Sequence, residues 1–172
     1  MKKSSIQPMP PFFDRYINLI EDIDIFEAFK KYAPVQVYAQ IEQLQALGDL
    51  VYAPGKWTVK DILQHVIDNE RIMAYRALRF SRGDKTALAG YEEELLAANT
   101  MAANRSVADL MTEFELVRAA TIPLFKNMSE SMLLNVGTAN ETQITPLALG
   151  FVILGHPVHH MRIIRERYFP LL

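Results

Sequence analysis

Residues Leu154 to Met161, LGHPVHHM, place three of the chain's four histidines within five positions of an otherwise apolar segment. An imidazole can move a proton, exchange hydrogen bonds or ligate a divalent ion. On a helix, positions three or four apart share a face, so His156 can pair with either His159 or His160. Two imidazoles are an incomplete centre, because zinc-like sites use at least three protein ligands, and this makes His65 the residue to place. A lone core histidine is ordinarily a packed side chain with one hydrogen bond. Three histidines from two helices make a different case, since bundle cores are where facing helices assemble metal sites. Spacing leaves His159 and His160 as alternatives. Asp68 and Asn69, three and four positions after His65, could line the same pocket or orient a ligand, although Asp68 suits a solvated position equally well. Pro157 removes the N–H that would bond the carbonyl of Ile153; it either bends the helix to aim His156 and His160 or is a tolerated kink, the simpler reading, with Gly155 relieving the strain.

These residues need helices to hold them. Thr58 with Asp61 three positions later has the form of a capping box opening a helix of roughly 25 residues. Val59, Ile62, Val66, Met73 and Leu78 give it an apolar stripe, with His65 beside it. Ser106 and Asp109 announce another helix, with Leu110, Phe114, Val117, Leu124 and Phe125 on its buried side and Pro123 bending its end. Thr145-Pro146, a cap followed by proline at the first helical position, starts the last helix, which runs to about Tyr168. Upstream, Ile25, Phe26, Phe29, Tyr32, Val37, Ile41 and Leu44 recur at helical steps from Asp24 to about Gln45, with Pro34 kinking or splitting the run. A short helix is expected around residues 13–20, within an N-terminal arm spanning 1–23 that packs on the bundle. Residues 82–104 form a long connection with one short helical piece, GTANETQ is a turn, and no strand pattern is evident. The expectation is an all-α, single-domain four-helix bundle over residues 1–172, with a long crossover between its second and third helices.

Composition narrows the function. With 172 residues, half of them hydrophobic, and a formal net charge of −2, the chain reads as an ordinary globular protein, not a nucleic-acid-binding polycation. It has no cysteine, hence no disulfide framework, no thiolate nucleophile and no cysteine-based zinc site. Any sulfur chemistry must use an external thiol. MKKSSIQPMPPFF lacks an apolar signal core, and no stretch reads as a span of roughly 18 apolar residues, so no membrane association and a cytoplasmic setting are expected.

The segments PGKWTVKDILQHVIDNERIMAYRALRFSRGDKT and LGHPVHHMRIIRERY together resemble the DinB/YfiT-like superfamily of metal-dependent enzymes. The marks are W-[ST]-x-[KR]-[DE]-x-x-x-H at the start of one helix and G-H-x-x-H-H on the last. The resemblance implies a bundle of the up-up-down-down type and a homodimer. It also implies a divalent ion (Zn, Ni, Fe or Mn) held by His65, His156 and His160, which leaves His159 outside. Relatives commonly carry a glutamate where this chain has Pro157. The implied activity is transfer of a low-molecular-weight thiol, the cosubstrate, to a small electrophile. A metal-dependent hydrolase activating water is the alternative, and a non-catalytic metal-binding or stress-response module the third reading. Because ligating imidazoles must be neutral, metal affinity is expected to fall below about pH 6.5, where free histidine protonates.

Overall fold

Each long helix starts where its cap dictates. In the computed structural model, which describes residues 1–172, Thr58 Oγ1 accepts the Asp61 N–H at 3.2 Å while the Asp61 carboxylate accepts the Thr58 N–H at 2.9 Å. This reciprocal box opens α5 (Val59–Ser81). Ser106 caps α7 (Val107–Lys126) by accepting from the Asp109 N–H, but Asp109 turns its own carboxylate to Arg105 at 2.5 Å, so the box is half made. Thr145 accepts from the Ala148 N–H and Pro146 opens α9 (Pro146–Ile163), which continues through a π-helical turn at Ile164–Tyr168.

The N-terminal part is more broken than its periodicity predicts. After α1 (Asp14–Ile17) the run from Asp24 divides into α2 (Ile25–Lys31), α3 (Pro34–Val37) and α4 (Ile41–Leu47). Pro34 disfavours helical geometry at Ala33, which is extended (φ −60°, ψ 150°), and becomes the first residue of the next helix. The arm is part of the core: Ile6, Phe13, Ile17 and Ile20 are buried with Ile25, Phe29 and the apolar face of α9.

The crossover contains α6 (Glu93–Ala98), and a four-residue helix, α8 (Glu130–Leu133), follows α7. The turn at GTANETQ is an antiparallel hairpin, β1 (Gly137–Ala139) and β2 (Thr142–Ile144), with Gly137 opposite Ile144. Asn140 and Glu141 both take positive φ, as a tight primed hairpin turn requires. Three-residue strands are too short for an alternating pattern to register, which is why the sequence does not reveal them. Leu88 bridges to this hairpin, donating to Thr138 O and accepting from Asn140 N–H, and thereby ties the crossover down.

The apolar interior has two parts. One holds Met73, Ala77 and Phe80 of α5, Phe125 of α7 and Leu147–Leu154 of α9; the other holds Val59–Ile67 of α5, Val107–Phe114 of α7 and Met161–Tyr168. Hence α5 and α7 run in the same direction and α9 in the opposite one. The N-terminal segment, with Ile25 and Phe29 in the first part and Val37, Leu44 and Leu47 in the second, runs with α9. The long crossover expected between the second and third bundle helices is residues 82–106, which return the chain so that α5 and α7 run parallel; the resulting order is up-down-down-up rather than the up-up-down-down that the resemblance implies.

Between the two apolar parts lies a polar layer: His65, Asn69 and Glu70 from α5, Arg118 and Thr121 from α7, and His156 from α9, all buried. Three expected stripe residues differ from prediction, two of them because of this layer. Val117 and Leu124 are only half-buried because Arg118 and Thr121 take the inward positions, and Leu78, 39% exposed, points away from the face that buries Ala77 and Phe80. One helix, Pro146–Leu171, is after all long and apolar enough to cross a membrane, but 72% of its apolar window is buried inside the protein, as the central helix of a bundle requires.

Candidate metal centre

His65 and His156 are 91 positions apart in sequence, yet their Nε2 atoms meet at 3.1 Å; His160 Nε2 is also 3.1 Å from His156 Nε2. The capping box sets the start of α5, and its helical phase turns His65 into the layer between Leu63 and Val66, both buried. His156 and His160 project one turn apart from α9. The ring of Trp57 lies 4.8 Å from that of His65, and the ring of Tyr16 lies 5.1 Å from that of His156. Trp57 is itself fixed at both ends: its indole N–H donates to Glu94 at 3.1 Å and its carbonyl accepts from Tyr168 Oη at 2.6 Å.

Hydrogen bonding does not account for this convergence. A neutral imidazole has one ring lone pair, so His156 Nε2 would have to share a single acceptor site between two neighbours, and its remaining proton would sit on Nδ1, which is buried without a partner. A cation serves all three lone pairs at once. Tetrahedral ligation at about 2.0–2.1 Å separates ligand atoms by about 3.3–3.4 Å, close to the two 3.1 Å separations here. All three ligand atoms lie within 4.8 Å of one another. The donor set therefore fits a divalent ion with a position left over for a small molecule.

Burial holds these imidazoles neutral. Desolvation lowers His65 to about 4 and, with the neighbouring histidines, lowers His160 to about 3; fully enclosed His156 is lowered well below the ordinary histidine value. The onset expected from free histidine, near pH 6.5, is thus displaced downward in the folded protein. Lone pairs are available to a metal throughout the neutral range.

His159 lies outside the cluster. Half-buried, it packs its ring edgewise on Tyr16 at 5.3 Å, near Arg15 and Arg162. Asp68 does not converge either: its carboxylate accepts from Gln64 at 3.0 Å and faces Arg71. Asn69 does line the pocket, donating through Nδ2 to Tyr91 Oη at 2.8 Å and leaving a buried Oδ1 unpaired.

Pro157 is accommodated by a distant residue. The Ile153 carbonyl it leaves free is met at 3.5 Å by Arg118, whose guanidinium also donates to Tyr32 O at 3.0 Å and clasps Glu70 at 2.9–3.2 Å. The Pro157 carbonyl accepts from buried Tyr38 Oη at 3.3 Å. Gly155 has a different task from relieving the proline: a Cβ there would stand 2.0 Å from the Tyr16 carbonyl oxygen, so glycine is what lets α1 lie against α9 beside His156.

Two cavities adjoin the histidines. One, of about 250 Å³, is lined by Phe13, Tyr16, Asn69, Arg76, Tyr91 and His156; another, of about 200 Å³, by Trp57, Tyr168 and His160 among others, and exposed Glu93 lines both. Sequence reasoning does not single out Tyr16, Arg76, Tyr91 or Glu93. Asn69 and Arg76 follow His65 at helical spacings of four and eleven, a stripe that sequence inspection could extend. The crossover residues Tyr91 and Glu93 carry no comparable signal.

Residues 25–164 match the family described as the DinB superfamily. The fold matches the solved structure of YfiT from Bacillus subtilis, described as "a probable metal-dependent hydrolase with an unusual four-helix bundle topology", with a TM-score of 0.68. The two are 16% identical, and the match covers 85% of this chain and 90% of that one, a likeness of fold. No curated protein matches the chain. Since the family match runs over most of the chain and encloses all three converging histidines, the protein belongs to the DinB superfamily.

Proposed function

We propose that this protein is an enzyme in which His65, His156 and His160 hold one divalent ion and the adjoining cavities hold a small-molecule substrate. The observation carrying this reading is the meeting of three neutral Nε2 atoms, those of buried His65 and His156 and half-buried His160, that hydrogen bonding cannot satisfy. When bound, the ion would lower the pKa of a water or thiol at its open position and so supply a nucleophile at neutral pH. The protein's own residues do the rest. Trp57 and Tyr16 wall two of the imidazoles, the apolar rings of Phe13 and Tyr16 receive an electrophile, and Asn69 and Tyr91 offer polar contacts beside His156.

The nucleophile in this proposal is a low-molecular-weight thiol, which makes the reaction an S-transfer. No carboxylate belongs to the histidine cluster, and a thiol, acidic enough to ionise once coordinated, needs no general base. Water is the second reading, favoured by Glu93: its carboxylate, on the wall of both cavities, is a candidate base, and YfiT is described as a probable hydrolase. Homodimerisation belongs to the same proposal; light scattering giving the mass of one chain at all concentrations would remove it.

Cobalt substitution tests the centre and the nucleophile together. One Co(II) per chain should bind, be lost in the His65→Ala, His156→Ala and His160→Ala variants, and be retained in His159→Ala. Because the chain has no cysteine, any sulfur-to-cobalt charge-transfer band on thiol addition reports the added thiol. A saturable band tracking thiol-transfer activity supports S-transfer. Ester or amide hydrolysis without any band transfers the assignment to water, and full metal occupancy in His65→Ala overturns the centre.

A further inference from the structure

Two arginines are buried in this protein, and only one has a structural explanation. Arg118, 3% exposed, is fully engaged by the Glu70 carboxylate and by two backbone carbonyls. Arg76 is equally buried at 3% exposure, but its guanidinium forms no ion pair. It donates to one carbonyl, Ala89 O at 3.0 Å, and makes a long 3.8 Å contact with the sulfur of Met73; its Nε has no partner. Tyr91 lies to one side, its ring centre 5.7 Å from the guanidinium carbon. The unused donors are not enclosed by protein; they open onto the adjoining cavity, so the guanidinium's charge is left to be met there, by water or by an anion.

Arg76 lines the same cavity as His156 and is its one basic side chain. The wall near it contains Tyr91 Oη, which already accepts from Asn69 and so has its own proton to donate, and the unpaired Asn69 Oδ1. Phe12, Phe13 and Tyr16 form the apolar side. The acidic residues of the lining, Glu92 and Glu93, are solvent-exposed and neither pairs with Arg76.

We infer that this cavity is an anion subsite in which Arg76 and Tyr91 bind the carboxylate of a small molecule whose apolar body rests on Phe12, Phe13 and Tyr16. A carboxylate suits it because a guanidinium edge matches two carboxylate oxygens, while a dianionic phosphate would find only one cation. That the bound carboxylate is part of a substrate rests on the proposed metal centre, since His156 lies on the same wall; the anion subsite itself does not.

The test therefore uses the full chain, stripped of metal with chelator, and benzoate as the probe. Benzamide has the same shape without the charge, and phenyl phosphate carries the heavier anion. Titration followed by NMR should show saturable benzoate binding at millimolar concentration, at least about tenfold tighter than benzamide, as a charge-assisted pair predicts. Shifted resonances should come from Tyr91 and Phe13. Arg76→Gln should abolish the preference for benzoate, and Arg76→Lys, which keeps the charge but loses the fork, should retain part of it. His160→Ala should leave it intact, which separates this result from any failure of the metal centre. Equal binding of benzoate and benzamide by the unmodified protein, no saturable binding, tighter binding of phenyl phosphate, or an unchanged preference in a folded Arg76→Gln protein each overturns the subsite.

Discussion

Replacing Arg118 by methionine isolates what holds the polar layer together. The substitution keeps an unbranched apolar stem but leaves the Glu70 carboxylate, 1% exposed, with no counter-charge, and removes the donors to Tyr32 O and Ile153 O. Breaking a buried pair from one side costs about 3–5 kcal/mol. At about 2–4 °C per kcal/mol for a chain of this size, the melting temperature should fall by about 6–20 °C. Two controls follow from the geometry. Adding Glu70→Leu removes the stranded charge and should recover most of the loss, leaving the two orphaned carbonyls. Adding Pro157→Ala should then recover about 1 kcal/mol more, since an N–H at 157 can bond Ile153 O along the helix. Urea and thermal unfolding of the four proteins measures each step. A loss under about 1 kcal/mol in Arg118→Met, or no recovery on adding Glu70→Leu, refutes the clamp as described.

Two further outcomes test the site's surroundings. In chelator, unfolding free energy should fall as pH drops from about 6.5 toward the folded-state values of about 4 for His65 and about 3 for His160. The unfolded chain takes up protons there that the folded one refuses, an effect on the order of 3 kcal/mol for His65 alone; a flat urea midpoint between pH 7 and 5 would contradict burial of neutral imidazoles. Gly155→Ala should push α1 away from α9, because its Cβ would overlap the Tyr16 carbonyl. Overpacking of about 1–3 kcal/mol should exceed the gain of about 1 kcal/mol in helix propensity, and the aromatic NMR shifts of His156 and His159 should change with the loss of Tyr16; an unchanged or higher melting temperature sinks this reading.

Much of the fold is legible in local chemistry. Thr58, Ser106 and Thr145 start the three long helices where they do because a side-chain oxygen three residues ahead of an unpaired N–H is a local arrangement that any chain context preserves. The three histidines and the absence of cysteine likewise narrow the chemistry by residue type alone. Spacing cannot choose between His159 and His160, since both are within about one turn of His156. The family resemblance makes that choice, and the packing of Tyr16 on His159 and the turn of α5 toward His160 supply its physical reason. The division of the 24–45 run at Pro34 is local in the same way as the caps, whereas the hairpin's tie to Leu88 and the inward position of Arg118 depend on partners far along the chain, where burial outweighs propensity.

What tertiary structure alone decided is the pairing of groups distant in sequence. Ile153 O finds its donor on another helix, so a proline that looks like a defect in α9 is satisfied by Arg118. Arg76 is a surface residue by type, although it shares a helical face with His65 and Asn69. It becomes a buried, unpaired cation only because the crossover brings Ala89 and Tyr91 over it and the N-terminal arm closes the cavity from the other side. Local sequence sets which backbone groups begin a helix; the desolvation that holds an imidazole neutral, or leaves an arginine buried without a counter-charge, arises only when separate elements exclude water from the same volume.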